Sequence, residues 1–376
     1  MGARATIALA VTLVVAGGAF ASPSLYVPGV ALGLLAGGAV AWALLAAQGA
    51  RIERAPGPAT VAEGDAYPVR IWVRGGLLPP HGEIDDPLLS GTVRVTSRGR
   101  GGVRVPRPLA RASIEESAVF ERRGRRQVRP PRLVVRDPLG IFSRTVEGSG
   151  ASEVLVLPRI EPIVAAGGRE GTGGALLGAG DGIGAGFGTT LDVELDGLRP
   201  YRKGSPASRI HWPAVARHQE LIERRLASGG DGKALVVLDA ERPAGDDELD
   251  RAVRAAASLS VRLARGGGCT LLISGASRPL RLDPQLRGWA QAHARLALVE
   301  PGGAVAGVAQ AASGGITFWV TAAEDGGPRR MRGSPTTVLV TPFPPAGGRS
   351  EFTIAGCHGR VLAGRRRASA VTRGVR

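Results

Sequence analysis

Two uncharged apolar runs stand near the start of this chain: Thr6 to Ala21 (TIALAVTLVVAGGAFA) and Tyr26 to Ala47 (YVPGVALGLLAGGAVAWALLAA), with only Ser22 to Leu25 between them. Crossing the hydrocarbon layer of a bilayer takes about 20 apolar helical residues. The second run is long enough and the first barely so, and the short turn predicts a transmembrane helical hairpin over residues 1–50. Arg4 precedes the first run, and Arg51 and Arg54 follow the second. The positive-inside tendency then places both ends, and everything after residue 50, in the cytoplasm of a multi-pass cell-membrane protein. A cleaved signal peptide ending in Ala19-Phe20-Ala21 is the alternative, and the one span left would still have its arginines on the cytoplasmic side. Gly17 and Gly18 in the first run, and Gly33, Gly37 and Gly38 in the second, are expected to serve close packing within the hairpin.

Residues 51–166 read as short strands between Gly/Pro turns: "YPVRIWVRG", "GTVRVTSRG", "PRLVVRDPLGIF", "SEVLVLPRI". Apolar and polar residues alternate in "VRIWV" and "TVRVT", the period of a half-buried antiparallel strand, so this segment is expected to form a β-sandwich-like domain. The 57 glycines and 27 prolines punctuate apolar runs, and 44% hydrophobic residues suffice for real cores. The basic stretch Glu121 to Arg136 could meet anionic headgroups, but "VRPPRLVVR" also fits a strand whose arginines alternate outward.

Residues 167–190 (GGREGTGGALLGAGDGIGAGFG and the two threonines after it) are glycine-rich without a feeding strand, a following helix or a closing Lys-Ser/Thr, and so read as a linker rather than a phosphate loop. In the strand-like text that follows, Asp192, Glu194 and Asp196 share one face, more consistent with a wet face than with a cation site. "KALVVLDAE" reads as a buried parallel strand. An amphipathic helix follows, with Leu249, Val253, Ala256, Ser260 and Leu263 on one face, acids at its start and three glycines at its end. "CTLLISG", a helix anchored by Trp289, "GITFWVTAA" and "TTVLVTPF" complete a strand–helix–strand order that predicts a doubly wound, Rossmann-like α/β domain within residues 191–363. Residues 364–376 read as a basic disordered tail. Cys269 and Cys357 form no Cys/His cluster, which argues against a disulfide framework or a structural zinc.

The segment "LRPYRKGSPASRIHWPAVARHQELIERRL" (198–226), taken with "RDPLGIF" before it and a buried strand ending in Asp after it, resembles domain-of-unknown-function family 58. That bacterial family joins a membrane hairpin, a β domain and a von Willebrand factor A-like domain. Arg199, Tyr201, Gly204, Arg209, Ile210, Trp212, Ala216 and Arg217 fit the family motif, while Ser205 stands where an Asp is usual and Pro213 where a Lys is common. The resemblance implies a von Willebrand factor A-like fold. It also implies a non-enzymatic, membrane-anchored adaptor or assembly factor working with a MoxR-type AAA+ ATPase. In that role Tyr201 and Trp212 would pack on the α/β core while Arg199, Arg209 and Arg217 bridge to acidic groups or to the partner. Von Willebrand A domains typically hold a divalent ion through Asp-x-Ser-x-Ser. Here the corresponding residues are Asp239, Glu241 and Pro243, a degenerate site that could hold Mg²⁺ only through Asp239 and Glu241.

Two other classes compete. The net charge of +16 suggests a nucleic-acid- or anionic-lipid-binding membrane protein, yet nearly all of it is Arg, spread over every segment, with few aromatics and no binding module. Catalysis has bases in His211 and His218 and hydroxyls in Ser205 and Ser208, without a base-orienting carboxylate or an oxyanion loop. Neither a small-molecule substrate nor a cofactor beyond the degenerate ion site is expected.

Overall fold

The computed structural model describes residues 3–78, 81–96, 102–105, 107–165, 195–200, 222–226, 234–276, 278–305, 308, 315–328, 337–345 and 350–362, with only the backbone of 195–200 and 222–226. The chain is mixed α/β and divides into two units. The first comprises Met1–Glu121 and Arg125–Val156, and the second Arg122–Gly124 and Leu157–Arg376.

In the first unit, helices α1 (Ala3–Ala19) and α2 (Pro23–Ala47) pack against each other. Only α2, among the described residues, is long and apolar enough to cross a membrane; at 25 residues it measures about 37 Å, whereas α1 has 17. Close approach occurs at Gly17, where a Cβ would come within 2.7 Å of the Tyr26 nitrogen, and at Gly29, where it would come within 2.8 Å of that of Val14. Gly18, Gly33, Gly37 and Gly38 face open space, contrary to the packing expected of them. The reason is register. The buried positions of α2 are Gly29, Ala36, Ala39, Ala43 and Ala46, spaced by seven, three, four and three, and the other glycines fall off that stripe.

Eleven strands follow: β1 (Arg51–Arg54), β2 (Thr60–Ala62), β3 (Ala66–Arg74), β4 (Gly82–Asp85), β5 (Val93–Thr96), β6 (Val103–Arg104), β7 (Arg111–Val119), β8 (Gly124–Val128), β9 (Arg132–Arg136), β10 (Ser143–Glu147) and β11 (Ser152–Leu157). They form three sheets, ordered β1-β3-β7, β10-β9-β4-β5-β6 and β2-β11-β8, rather than the two of a plain sandwich. The Pro/Gly-rich Ala55–Ala59 separates β1 from β2 and sends them to different sheets. Strand β3 shows the expected alternation, burying Tyr67, Val69, Ile71 and Val73 while Arg70 and Trp72 face out. Trp42, Ala46 and Ala47 at the end of α2 belong to the same core.

The second unit holds β12 (Val164–Ala165), β13 (Leu195–Pro200), β14 (Ile222–Leu226), β15 (Ala234–Asp239), α3 (Asp246–Gly267), β16 (Cys269–Ile273), β17 (Leu280–Leu282), α4 (Trp289–Ala297), β18 (Thr317–Thr321), β19 (Thr337–Thr341), β20 (Phe352–Ile354) and β21 (Cys357–Leu362). Residues from Leu157 onward, assigned by sequence pattern to the β-rich segment as far as 166, belong to this unit, and β12 pairs with β20. Eight strands run in the order β12-β20-β21-β19-β18-β15-β16-β17, with β19, β18, β15 and β16 mutually parallel and antiparallel strands at the edges. Helix α3 forms as its periodicity demands, with Leu249, Val253, Ala256, Ser260 and Leu263 all buried. Helices α3 and α4 pack into one core with Val236, Leu238, Leu271 and Phe318, on one face of the sheet. The opposite face buries Leu235, Val237, Leu272, Trp319 and Leu339 against Val305 and Val308, and no named helix among the described residues covers it. Cys269 and Cys357 are unbonded and buried, and desolvation pushes both thiols up to about 12.

Candidate functional site

The carboxyl ends of the parallel strands bring together the side chains most suited to a site. Asp239 ends β15, and the parallel register sets it beside Thr321, which ends β18. From β15 the chain passes through α3 to β16 on one side, whereas from β18 it passes to β19 on the other. The crevice at such a switch of direction is where open α/β sheets bind ligands.

Local chemistry shapes the rim. Glu241 donates its backbone N–H to Asp239 Oδ1 at 3.1 Å, and Ala323 donates its own to Thr321 Oγ1 at 3.2 Å, so each side chain closes the turn that follows it. Ser274, just past β16, donates its hydroxyl to the Gly303 carbonyl and its N–H to Leu238 O at 2.9 Å. Gly302 N–H reaches Ala240 O at 2.7 Å, and Ala244 N–H reaches Ala322 O at 3.0 Å. Gly275 and Gly303 both have φ +76°, and a Cβ on Gly303 would stand 2.9 Å from the Gly275 Cα, so glycine there is a steric requirement of the rim.

As a metal site this arrangement is thin. Asp239 is half-buried, while the Glu241 side chain is exposed. Among the described residues no group of three or more His, Cys, Asp or Glu could hold an ion. One carboxylate and one hydroxyl are a small part of the six or more hard oxygens that Mg²⁺ or Ca²⁺ takes. The family resemblance pointed to Asp239 and did not point to Thr321, though a polar residue also ends the apolar strand in "GITFWVTAA".

Of the segment 198–226, Arg199 lies on β13, opposite Glu223 of β14 in an antiparallel pair that joins its two ends. Tyr201, Gly204, Arg209, Trp212 and Arg217 lie outside the described residues, as do Ser205, Ser208, Ile210, His211, Ala216, His218, the 167–190 tract and the 364–376 tail. Asp192 and Glu194 lie outside them too, while Asp196 is on β13.

"RDPLGIF" is explained by turn chemistry. Asp137, almost fully buried, accepts backbone N–H groups from Leu139 (2.8 Å) and Phe142 and pins the β9–β10 turn. Much of the basic stretch is also accounted for: Arg125 pairs with Glu153, Arg132 with Glu147 and Arg136 with Glu83. Within the second unit, Arg122 and Arg123 both hold Asp250, the former at 2.9 Å, and Arg123 also donates to Val299 O at 2.9 Å. His293 stacks on Trp289 at 4.6 Å between ring centroids, and its Nε2 sits 2.7 Å from Pro158 O. Burial lowers its pKa, and the contact with Pro158 partly offsets that.

No protein-family model matches this chain, and neither a curated protein nor a solved structure matches it.

Proposed function

We propose that this chain is a membrane-anchored, non-enzymatic adaptor or assembly factor that acts through protein–protein contacts, with a MoxR-type AAA+ ATPase as its partner. In this reading α2 is the anchor, α1 packs beside it, and the rest of the chain faces the cytoplasm. The second unit is a von Willebrand factor A-like domain. The observation that carries the proposal is the placement of Asp239 beside Thr321 at the crevice where the central parallel strands change direction. A von Willebrand A domain engages partners at that edge of its sheet. The likeness of 198–226 to the family motif supplies the ATPase, and Arg199 with its paired strand ties that motif to the proposal. Any Mg²⁺ at this edge would rest on Asp239 and Glu241, because Glu241 and Pro243 stand where the two serine ligands are usual.

The test is co-purification of the tagged full chain from detergent-solubilised native membranes, with and without nuclease treatment and with and without ATP, read by quantitative mass spectrometry. An AAA+ ATPase enriched in a nucleotide-dependent way, and depleted by Asp239→Ala, Arg209→Ala or Trp212→Ala, is the expected result. Capture of no ATPase, together with binding that disappears on nuclease treatment, would replace this function with nucleic-acid binding.

A further inference from the structure

The outward face of the β1-β3-β7 sheet carries a row of arginines set opposite one another. Register sets Arg51 opposite Arg74, and Arg74 opposite Arg111. Like charges directly opposite on neighbouring strands repel. Elsewhere on this sheet the pattern is the reverse: Arg70 faces Glu115 and pairs with it at 2.9 Å. No carboxylate among the described residues forms an ion pair with Arg51, Arg74 or Arg111. The next outward row is Glu53, Trp72 and Ser113, with Trp72 45% exposed. Together the two rows line an open depression of about 510 Å³.

The row also has a defined place relative to α2. Arg51 is the fourth residue after the helix ends at Ala47. Leu77, three residues beyond Arg74, donates its N–H to Gln48 O at 3.0 Å, and Leu109, two residues before Arg111, donates to Gly76 O at 3.0 Å. These leucines are 46% and 43% exposed. Moving away from the apolar helix, the surface therefore runs from exposed leucines to arginines, and then to a tryptophan with a single carboxylate.

We infer that this depression binds the phosphate of an anionic phospholipid headgroup, with Leu77 and Leu109 turned toward the acyl boundary. The inference rests on α2 being a span. Guanidinium groups match phosphate oxygens in a planar, bidentate way, and a half-exposed Trp suits the interfacial layer. Neighbouring strands lie about 4.8 Å apart, so the row covers about 10 Å, the width of one headgroup. Glu53 in the same depression repels further phosphates, which favours one headgroup over a nucleic-acid backbone.

The experiment is thermal unfolding of the detergent-solubilised full chain titrated with short-chain phosphatidylglycerol, in parallel with short-chain phosphatidylcholine and with inorganic phosphate. A ligand that binds only the folded state raises Tm saturably. Phosphatidylglycerol is expected to do so and phosphatidylcholine is not, and Arg74→Gln with Arg111→Gln is expected to raise the half-saturating concentration about tenfold or more. Arg126→Gln, an exposed arginine on β8, should leave it unchanged. Because the double substitution removes like charges, its Tm without lipid should equal or exceed that of the parent, which separates loss of the site from loss of the fold. An undiminished lipid shift in the double variant overturns the site, and so does an equal shift with inorganic phosphate. Alkaline carbonate extraction of native membranes tells the two readings apart. Release of the chain breaks the anchor reading first, whereas a retained chain with an undiminished shift breaks the site alone.

Discussion

At the centre of the first unit sits a guanidinium, whereas the central parallel strands of the second bury a run of aliphatic side chains. Arg54 donates to both oxygens of Asp86 at 3.0 and 2.8 Å and to the carbonyls of Val128, Arg129 and Gly150, and the two side chains are 3% and 0% exposed. In the second unit the parallel strands bury Leu235, Val236, Val237 and Leu238 in succession, and the ion pairs of Asp250 lie near the start of α3. The difference follows from how each unit satisfies its backbone. A continuous parallel ladder pairs its own carbonyls, but turns and strand ends broken by proline and glycine leave carbonyls over, and a buried arginine has donors enough to gather several. Gly150 makes that possible at φ +99°, since a Cβ there would stand 2.4 Å from Arg54 O.

The comparison can be broken most forcefully at Asp86. Asp86→Ala leaves Arg54 buried without a counter-charge and should cost the first unit about 3–5 kcal/mol, read as an earlier transition in urea unfolding. Arg54→Met combined with Asp86→Leu should cost less than either single change, and equal additive losses would show that the pair is not one unit. In the second unit a comparable loss should come from an apolar side chain: Leu259→Ala, fully buried on α3, about 3 kcal/mol from the same curve. Asp137→Ala strips the acceptor from two backbone N–H groups and should cost about 1–3 kcal/mol in the first unit alone.

The smallest expected effect is pH-dependent. Burial lowers the pKa of His293 below its ordinary 6.5, so the folded state favours the neutral ring. That contribution is fully present above the unfolded pKa and is lost as pH falls through it toward the folded value. Second-unit stability should therefore decline below about pH 6.5, and His293→Gln should flatten the decline. An unchanged slope in that variant would assign it to other groups.

Local elements were legible in the sequence because local periodicity writes them. The spacing of Leu249, Val253, Ala256, Ser260 and Leu263 and the glycines after them give α3, and the alternation from Tyr67 to Val73 gives β3. Asp239 was singled out by the resemblance to the von Willebrand A motif, at the end of a strand that local pattern already gave. What escaped depends on pairing between distant segments. Arg51, Arg74 and Arg111 become a row only through the β1–β3–β7 register, and Arg54 meets Asp86 across 32 positions. Gly29, not Gly33 or Gly37, meets α1 because rotation about the α2 axis is set by the alanine stripe rather than by glycine count. Likewise, three sheets arise where two were expected because the turn at Ala55–Ala59 redirects the chain without altering its alternation.

The junction between α2 and β1 has a mechanical consequence. Ala43 and Ala46 are fully buried, Trp42 and Ala47 share the core of Ile52 and Ile71, and Gly76 lies so near the Ala46 carbonyl that a Cβ would stand 2.0 Å from it. Only Gln48, Gly49 and Ala50 separate helix from strand. Packing on both sides of so short a connection ties the helix to the β-rich unit, so the two are expected to turn together as a lever. Under the proposed anchor role of α2, a bilayer of different thickness, which changes the tilt of a helix that crosses it, would rotate the three sheets by the same angle.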